Sequence, residues 1–216
     1  MKSPFRRVVL GSRSPQRLAL LRQIVPAEQI TVCPPRTSEE PGFAGLNAWS
    51  EIESRLVEIA RGKCADVLEQ CRERDSAFEE VCVLTADTVI VAQDQDRPIV
   101  LGQPPEAHWR DTVRSWFEKY LLGRTHRAAT AVCLANLTGE RRERVVVTEV
   151  AFHAGSPDLL NWYLDTQEPR GKAGGYGIQA AGSLFVSEIN GSFSNVVGLP
   201  LLEIWEMLQE QSDILR

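Results

Sequence analysis

Residues 169–200 read PRGKAGGYGIQAAGSLFVSEINGSFSNVVGLP, and Gly171, Gly174, Gly175, Gly177, Gly182, Gly191 and Gly198 all fall within them. Nearly half of the chain's 15 glycines are therefore crowded into one short segment. Glycine at that density weakens both helix and strand; its physical uses are positive φ and close approach of the backbone to something else. Lys172, Tyr176 and Gln179 lie between the glycines and supply a cation, an aromatic face and an amide, a set that suits a flat, polar, anionic ligand. The plainer reading is a pair of tight turns around a strand, Ser183 to Ile189. Either way the segment needs a scaffold, and the rest of the chain has to provide it.

Working outward, strands and helices alternate. Arg7 to Leu10 reads as a short buried strand, followed at Ser14-Pro15 by an N-cap serine with proline in the first helical position. Leu18, Leu21 and Ile24 or Val25 continue the helix to Pro26. Strand, turn and helix start present backbone N–H groups to an anion. Ile30 to Cys33 is a second strand, and Pro34 to Gly45 a loop carrying Glu39 and Glu40. A long helix follows, Asn47 to Leu68. Its apolar stripe, Trp49, Ile52, Leu56 and Ile59, is continued by Lys63, whose stem either snorkels to solvent or delivers an ammonium into a cleft. Arg72 to Glu80 is a charged linker.

Val81 to Leu84 and Val89 to Ala92 read as two apolar runs split by Thr85-Ala86-Asp87-Thr88, with Asp87 either a turn carboxylate or at the mouth of a sheet. A lone buried carboxylate costs several kcal/mol unless cations or a metal pair with it. Gln93 to Arg97 turns the chain into a hairpin with Ile99 to Leu101. Pro105 to Leu122 is an amphipathic helix with Trp109, Val113, Trp116 and Tyr120 as a core stripe. Ala128 to Leu137 and Arg144 to Phe152 form an antiparallel hairpin about Thr138-Gly139. Ser156-Pro157 starts a helix to Asp165, and Leu199 to Gln209 closes the chain. The interleaving predicts an α/β fold with a mixed sheet and flanking helices.

Composition narrows the function. A hydrophobic fraction of 43% and a charged fraction of 25% are ordinary for a soluble globular chain. A net charge of −5 offers no field for nucleic acid, so an anionic substrate requires a local basic site. Five scattered cysteines without a CxxC pair argue against structural zinc. Reduced thiols, no secretory signal and no apolar run of membrane length point to the cytoplasm and away from a membrane.

Three segments together resemble the Maf family of nucleoside triphosphate pyrophosphatases. Gly11-Ser12-Arg13-Ser14-Pro15-Gln16-Arg17 is similar to that family's opening A-S-x-S-P-R-R. Ala86-Asp87-Thr88-Val89 with Leu101-Gly102-Gln103-Pro104 is similar to A-D-T-V and L-G-K-P. Lys172 to Gln179 and Asn195-Val196-Val197-Gly198-Leu199-Pro200 form the third and most specific block, and Lys63 and the Gly123-Arg124-Thr125-His126 turn fit the same pattern. The likeness spans roughly residues 7 to 207. It implies one elongated domain over residues 1–216, with two lobes about a cleft. It also implies a divalent cation (Mg2+ or Mn2+), possible homodimers, and a role in housecleaning of the nucleotide pool, with a link to inhibition of septum formation.

The resemblance and the residue chemistry assign roles together. A triphosphate needs cations, N–H donors and metal-holding carboxylates, and hydrolysis at the α-phosphorus needs an aligned, activated water. Asp87 is the candidate base or metal ligand, with Glu39 or Glu40 at the metal. Arg17, Lys63 and Lys172 are the candidate phosphate cations, Ser12 contacts phosphate, Gln179 reads the base or a phosphate, and Tyr176 stacks or packs. Two positions depart from the family: Gln16 and Gln103 stand where it has arginine and lysine. Arg13, at the variable position of the first motif, either replaces part of the lost charge or is a solvent-facing surface arginine. The expected activity is hydrolysis of dTTP, UTP or a modified nucleotide to monophosphate and pyrophosphate. The alternative is a catalytically weak nucleotide-binding protein.

Overall fold

The computed structural model describes residues 7–37, 40–73 and 81–213; Glu39 and most of the expected linker Arg72–Glu80 lie outside the described residues. The architecture is built on β3, Val81–Asp94, the longest strand. On one edge it pairs antiparallel with β5, Thr125–Asn136, from Cys82↔Asn136 to Val91↔Arg127. On the other edge two strands share it. β1, Arg7–Leu10, runs parallel along Val81–Leu84, and β4, Arg97–Leu101, runs antiparallel along Ile90–Asp94. Between them, from Thr85 to Val89, that edge has no strand partner among the described residues. β2, Ile30–Val32, β6, Arg141–Phe152, and β7, Val186–Asn190, complete a seven-stranded mixed sheet in the order β2-β1-β3-β5-β6-β7, with β4 against β3.

The break expected at Thr85–Thr88 is absent. Those four residues continue the ladder with β5, opposite Cys133, Val132, Ala131 and Thr130. Two threonines suit a pleated strand, and the carboxylate of Asp87 finds a cation rather than a turn. Asp87 is thus not a turn carboxylate; it sits mid-strand.

Alternation along β3 sends its side chains to opposite faces. Val81, Val83, Val89 and Val91 pack with Ile52, Leu56, Ala60, Cys64 and Val67 of α2, Trp49–Glu73. Cys82, Leu84 and Ala86 pack on the opposite face with Leu20 and Leu21 of α1, Pro15–Leu21, and with Ile204 and Met207 of α6, Leu201–Asp213. Further along that face Ile90 and Ala92 join Val113, Phe117, Leu121, Tyr163 and Tyr176. Thus Asp87 faces α2, and Thr88 the other side.

The segment from Pro105 to Leu122 is not one uniform helix. After a 3-10 turn, α3 spans Trp109–Trp116, and a π-helical turn covers Phe117–Leu121. The wider turn brings Val113, Phe117 and Leu121, spaced by four, to full burial, while Trp109, Trp116 and Tyr120 are only partly buried against them. Ser156 caps α4, Pro157–Asp165, as its sequence predicts. The strand expected from Ser183 begins only at Val186, behind a 3-10 segment Ala181–Phe185. A short helix absent from the sequence reading, α5, Phe193–Val197, is capped by Ser192 and ends on Gly198 at φ 120°. All five cysteines are buried and unpaired by disulfide. Among the described residues no helix is long and apolar enough to cross a membrane.

Candidate active site

The stretch of β3 left without an edge partner opens onto a cavity of about 810 Å³, within the ~300–1,000 Å³ usual for small-molecule sites. Ser12, Arg13, Gln16, Arg17, Glu40, Lys63, Asp87, Gln103, Lys172 and Gln179 all line it. The sequence-derived candidates therefore converge on one site, with Glu39 alone outside the described residues. Arg170 also lines the cavity, and sequence reasoning missed it because it holds no motif position.

At the centre Lys63 Nζ lies 2.7 Å from Asp87 Oδ1 and 2.8 Å from Glu40 Oε1. The Lys63 side chain is only 15% exposed and that of Asp87 12%, so the lysine at the end of the α2 stripe emerges into the cleft and not into open solvent. A charge so enclosed is tolerable because it is paired twice.

Arg17 comes from the first turn of α1, where Ser14 Oγ accepts the Arg17 backbone N–H. Its guanidinium donates to Gly198 O at 2.9 Å, Ala86 O at 2.7 Å and Thr88 Oγ1 at 3.0 Å. Three of its five N–H groups are thus committed within the protein. Burial pulls its pKa down, opposed by the charges of Asp87 and Glu40; an arginine stays charged through such a shift. The N–H groups expected to cradle a phosphate at this helix start are fewer than the sequence implies. Ser14 N–H is taken by Ser12 Oγ at 3.1 Å, Arg17 N–H by the cap, and Pro15 has none.

Gln16 is held by its neighbour, its Oε1 accepting from Ser14 Oγ at 3.0 Å. Arg13 is exposed, and its Nη2 donates to Pro35 O at 2.8 Å. Gln103 and Gln179 are exposed on the cavity wall.

The glycine-rich stretch forms the opposite wall. Gly174 has φ 67°, and a Cβ there would lie 2.7 Å from Ile90 Cγ1; one on Gly175 would lie 2.7 Å from Val113 Cγ2. These glycines admit close approach to protein side chains, so the motif serves packing at these two positions. Lys172 Nζ donates to the Glu168 carbonyl. The Glu168 carboxylate, also unanticipated, accepts Ala181 N–H at 2.8 Å and Tyr163 O–H at 3.2 Å, tying both ends of the loop together. The one sequence signal for it is its place as a carboxylate just upstream of the glycine cluster. Tyr176 packs and does not stack on the open cavity: it is 5% exposed, edge-on to His126 and Phe152, with its hydroxyl 2.8 Å from His126 Nε2. Burial raises the Tyr176 pKa.

Among the lining residues five cations, Arg13, Arg17, Lys63, Arg170 and Lys172, face two carboxylates, Glu40 and Asp87. Arg170 is paired with Glu106, and the remaining four cations still outnumber the two carboxylates, a local basic site in a chain of net charge −5 of the kind an anionic substrate requires. Among the described residues no three His, Cys, Asp or Glu side chains converge as a metal cluster. Magnesium, however, is held typically by one or two carboxylates plus substrate phosphate and water. Asp87 and Glu40, oxygen donors brought to one ammonium, fit that requirement.

A family model described as Maf-like protein matches residues 7–211. The dTTP/UTP pyrophosphatase of Carboxydothermus hydrogenoformans is 34% identical over 94% of this chain and 98% of its own. The dTTP/UTP pyrophosphatase of Anaeromyxobacter dehalogenans is 38% identical over 94% of this chain and 93% of its own. The match to a solved HAM1 protein from Coxiella burnetii covers 94% of this chain and 98% of that one at 12% identity, with a TM-score of 0.47.

Proposed function

This chain belongs to the Maf-like protein family, and on that premise we propose that it hydrolyses the α–β phosphoanhydride of dTTP, UTP or a modified nucleotide, giving the monophosphate and pyrophosphate. The observation that carries the reading is the Lys63 ammonium set between Asp87 and Glu40 on the floor of a cation-rich cavity. In this reading Asp87 accepts a proton from the attacking water, and Lys63 fixes the carboxylate that accepts it. Asp87 and Glu40 would hold Mg2+ or Mn2+, which when bound offsets phosphate charge. Lys172 and Arg13 approach the triphosphate from opposite walls, with the remaining N–H groups of Arg17 between them. Gln179 stands where the base or a phosphate oxygen is read.

A second reading, a nucleotide-binding protein with weak catalysis, is favoured by Gln16 and Gln103, which put neutral amides where the family has cations. Pyrophosphate release from a panel of ribo- and deoxynucleoside triphosphates, with either metal, separates the two. In water labelled with heavy oxygen the label is expected in the monophosphate; label in orthophosphate alone places the cut elsewhere. Asp87→Asn is expected to lose activity by at least about a hundredfold, the lower end for a proton-transfer group. It should still fold, because Lys63 keeps Glu40 as its partner.

A further inference from the structure

The turn Asn195-Val196-Val197-Gly198-Leu199-Pro200 is a marked motif to which the proposed chemistry gives no task. Its contacts lead to the strand that carries Asp87. Gly198 O receives Arg17 Nε–H, and the same guanidinium clips β3 on either side of Asp87, at Ala86 O and Thr88 Oγ1. Thr88 faces Thr130 across the β3–β5 ladder, with the hydroxyl oxygens 3.0 Å apart. Thr130 Oγ1 reaches Asn195 O at 3.2 Å.

The direction of these bonds follows from proton count. A hydroxyl has one proton, and a carbonyl has none. Thr130 therefore gives its proton to Asn195 O, so Thr88 donates to Thr130, and Thr88 in turn accepts from Arg17. Each of the two hydroxyls thus accepts once and donates once, and residues 195–198 close the ring back to Arg17. Asn195 is itself fixed: its Nδ2 lies 3.1 Å from Ala128 O and from Val146 O, and 3.0 Å from Thr148 Oγ1.

We propose that Thr130 is a positioning residue for Asp87, acting through Thr88 and Arg17; this role rests on the pyrophosphatase reading of the site. Thr130 is fully buried and is not part of the cavity wall, so it touches no substrate. The strand around Asp87 lacks a neighbour on one edge, where a free carbonyl at Ala86 would otherwise be unsatisfied. Arg17 stands in for that missing strand, and the ring fixes where Arg17 sits. Remove the Thr130 hydroxyl and Thr88 O–H loses its partner, Asn195 O keeps only the Gly198 N–H, Thr88 is free to rotate, and the clip beside Asp87 loosens.

The test is Thr130→Val, near-isosteric, with Thr130→Ser as its conservative partner. Expected is a fall in kcat of about ten- to a hundredfold, the scale of a small misplacement of catalytic groups, with KM changed by less than about threefold. Thr130→Ser restores kcat. Should the buried valine prevent folding, Thr88→Val, at a half-buried position, is expected to give the same split. A folded Thr130→Val or Thr88→Val protein with wild-type kcat overturns the proposal, whatever its melting temperature. Nitrogen NMR of the Arg17 Nε–H supplies a readout free of activity: its exchange with solvent accelerates in Thr130→Val and slows again in Thr130→Ser. If the wild type releases no pyrophosphate from any triphosphate, the pyrophosphatase reading falls by itself. An Nε–H unchanged in Thr130→Val then overturns the ring as well, and accelerated exchange reversed by serine upholds it.

Discussion

Arg13 is the residue at which this chain's charge pattern is most its own. The neutral amides at Gln16 and Gln103 remove two cations from a cavity built for a polyanion, and each charged hydrogen bond lost costs roughly 1.5–3 kcal/mol. Arg13 lines the same cavity, and among the described residues its guanidinium makes one bond, to Pro35 O, which leaves most of its donor fork for a phosphate. Arg13→Ala is therefore expected to lower kcat/KM by about tenfold, near the size of one such bond. Gln16→Arg in the Arg13→Ala background should recover part of the loss, and the two changes should be non-additive because the groups share one triphosphate. Steady-state kinetics on the preferred nucleotide decide it: unchanged kcat/KM in Arg13→Ala would make this residue an ordinary surface arginine tethered to Pro35.

At the scale of elements, the glycine-rich segment shows where local chemistry is demanded and where it is optional. Gly174 combines a left-handed φ of 67° with a would-be Cβ only 2.7–3.1 Å from three atoms of Ile90, a β-branched side chain that cannot swing aside within the core. Gly62 lies on α2 with nothing within 4 Å. Gly174→Ala is expected to destabilise by about 2–4 kcal/mol, from overpacking plus the left-handed penalty. Gly62→Ala should stabilise by about 0.5–1 kcal/mol through helix propensity. Denaturant unfolding of the two variants measures both, and a neutral Gly174→Ala would remove close packing as the reason for that glycine. The same contrast explains what the sequence makes legible. Elements with local signals are readable: the Ser14-Pro15 and Ser156-Pro157 starts, the hairpin at Thr138-Gly139 and the α2 stripe leading to Lys63. Elements decided by distant partners are not. The continuity of β3 through Asp87 depends on its ladder with β5, the π-helical turn at Phe117 on core packing, and the short α5 on Asn195 reaching Ala128 and Val146. For the site the residue types were readable from motif and charge. Their use was not: the three bonds that commit Arg17 and the burial of Tyr176 follow only from the fold.

Over the whole molecule, one sheet joins three apolar clusters, and the local basic cavity sits in an acidic chain. The cluster behind the glycine-rich wall contains His126, which is 2% exposed, edge-on to Phe152 at 4.8 Å, and bonded through Nε2 to Tyr176. Its Nδ1 has no hydrogen-bond partner among the described residues, so nothing there favours a second proton. Desolvation lowers its pKa from 6.5 to about 3. The unfolded chain returns it to the ordinary value, so between those two values the unfolded state binds more protons than the folded one. Stability must then fall as pH drops from about 6.5 toward 3, and this contribution is intact above 6.5. Titrated over the full window it amounts to on the order of 4 kcal/mol, at 1.36 kcal/mol per unit, a large share of the roughly 5–15 kcal/mol of a domain. His126→Gln removes the titration while keeping a polar side chain beside Tyr176. The variant is expected to be less stable than the wild type near neutrality, through lost ring packing, and the gap should close as the solution is acidified. Urea unfolding of both proteins across that range gives the slopes. Parallel stability curves would show that His126 does not carry the acid sensitivity.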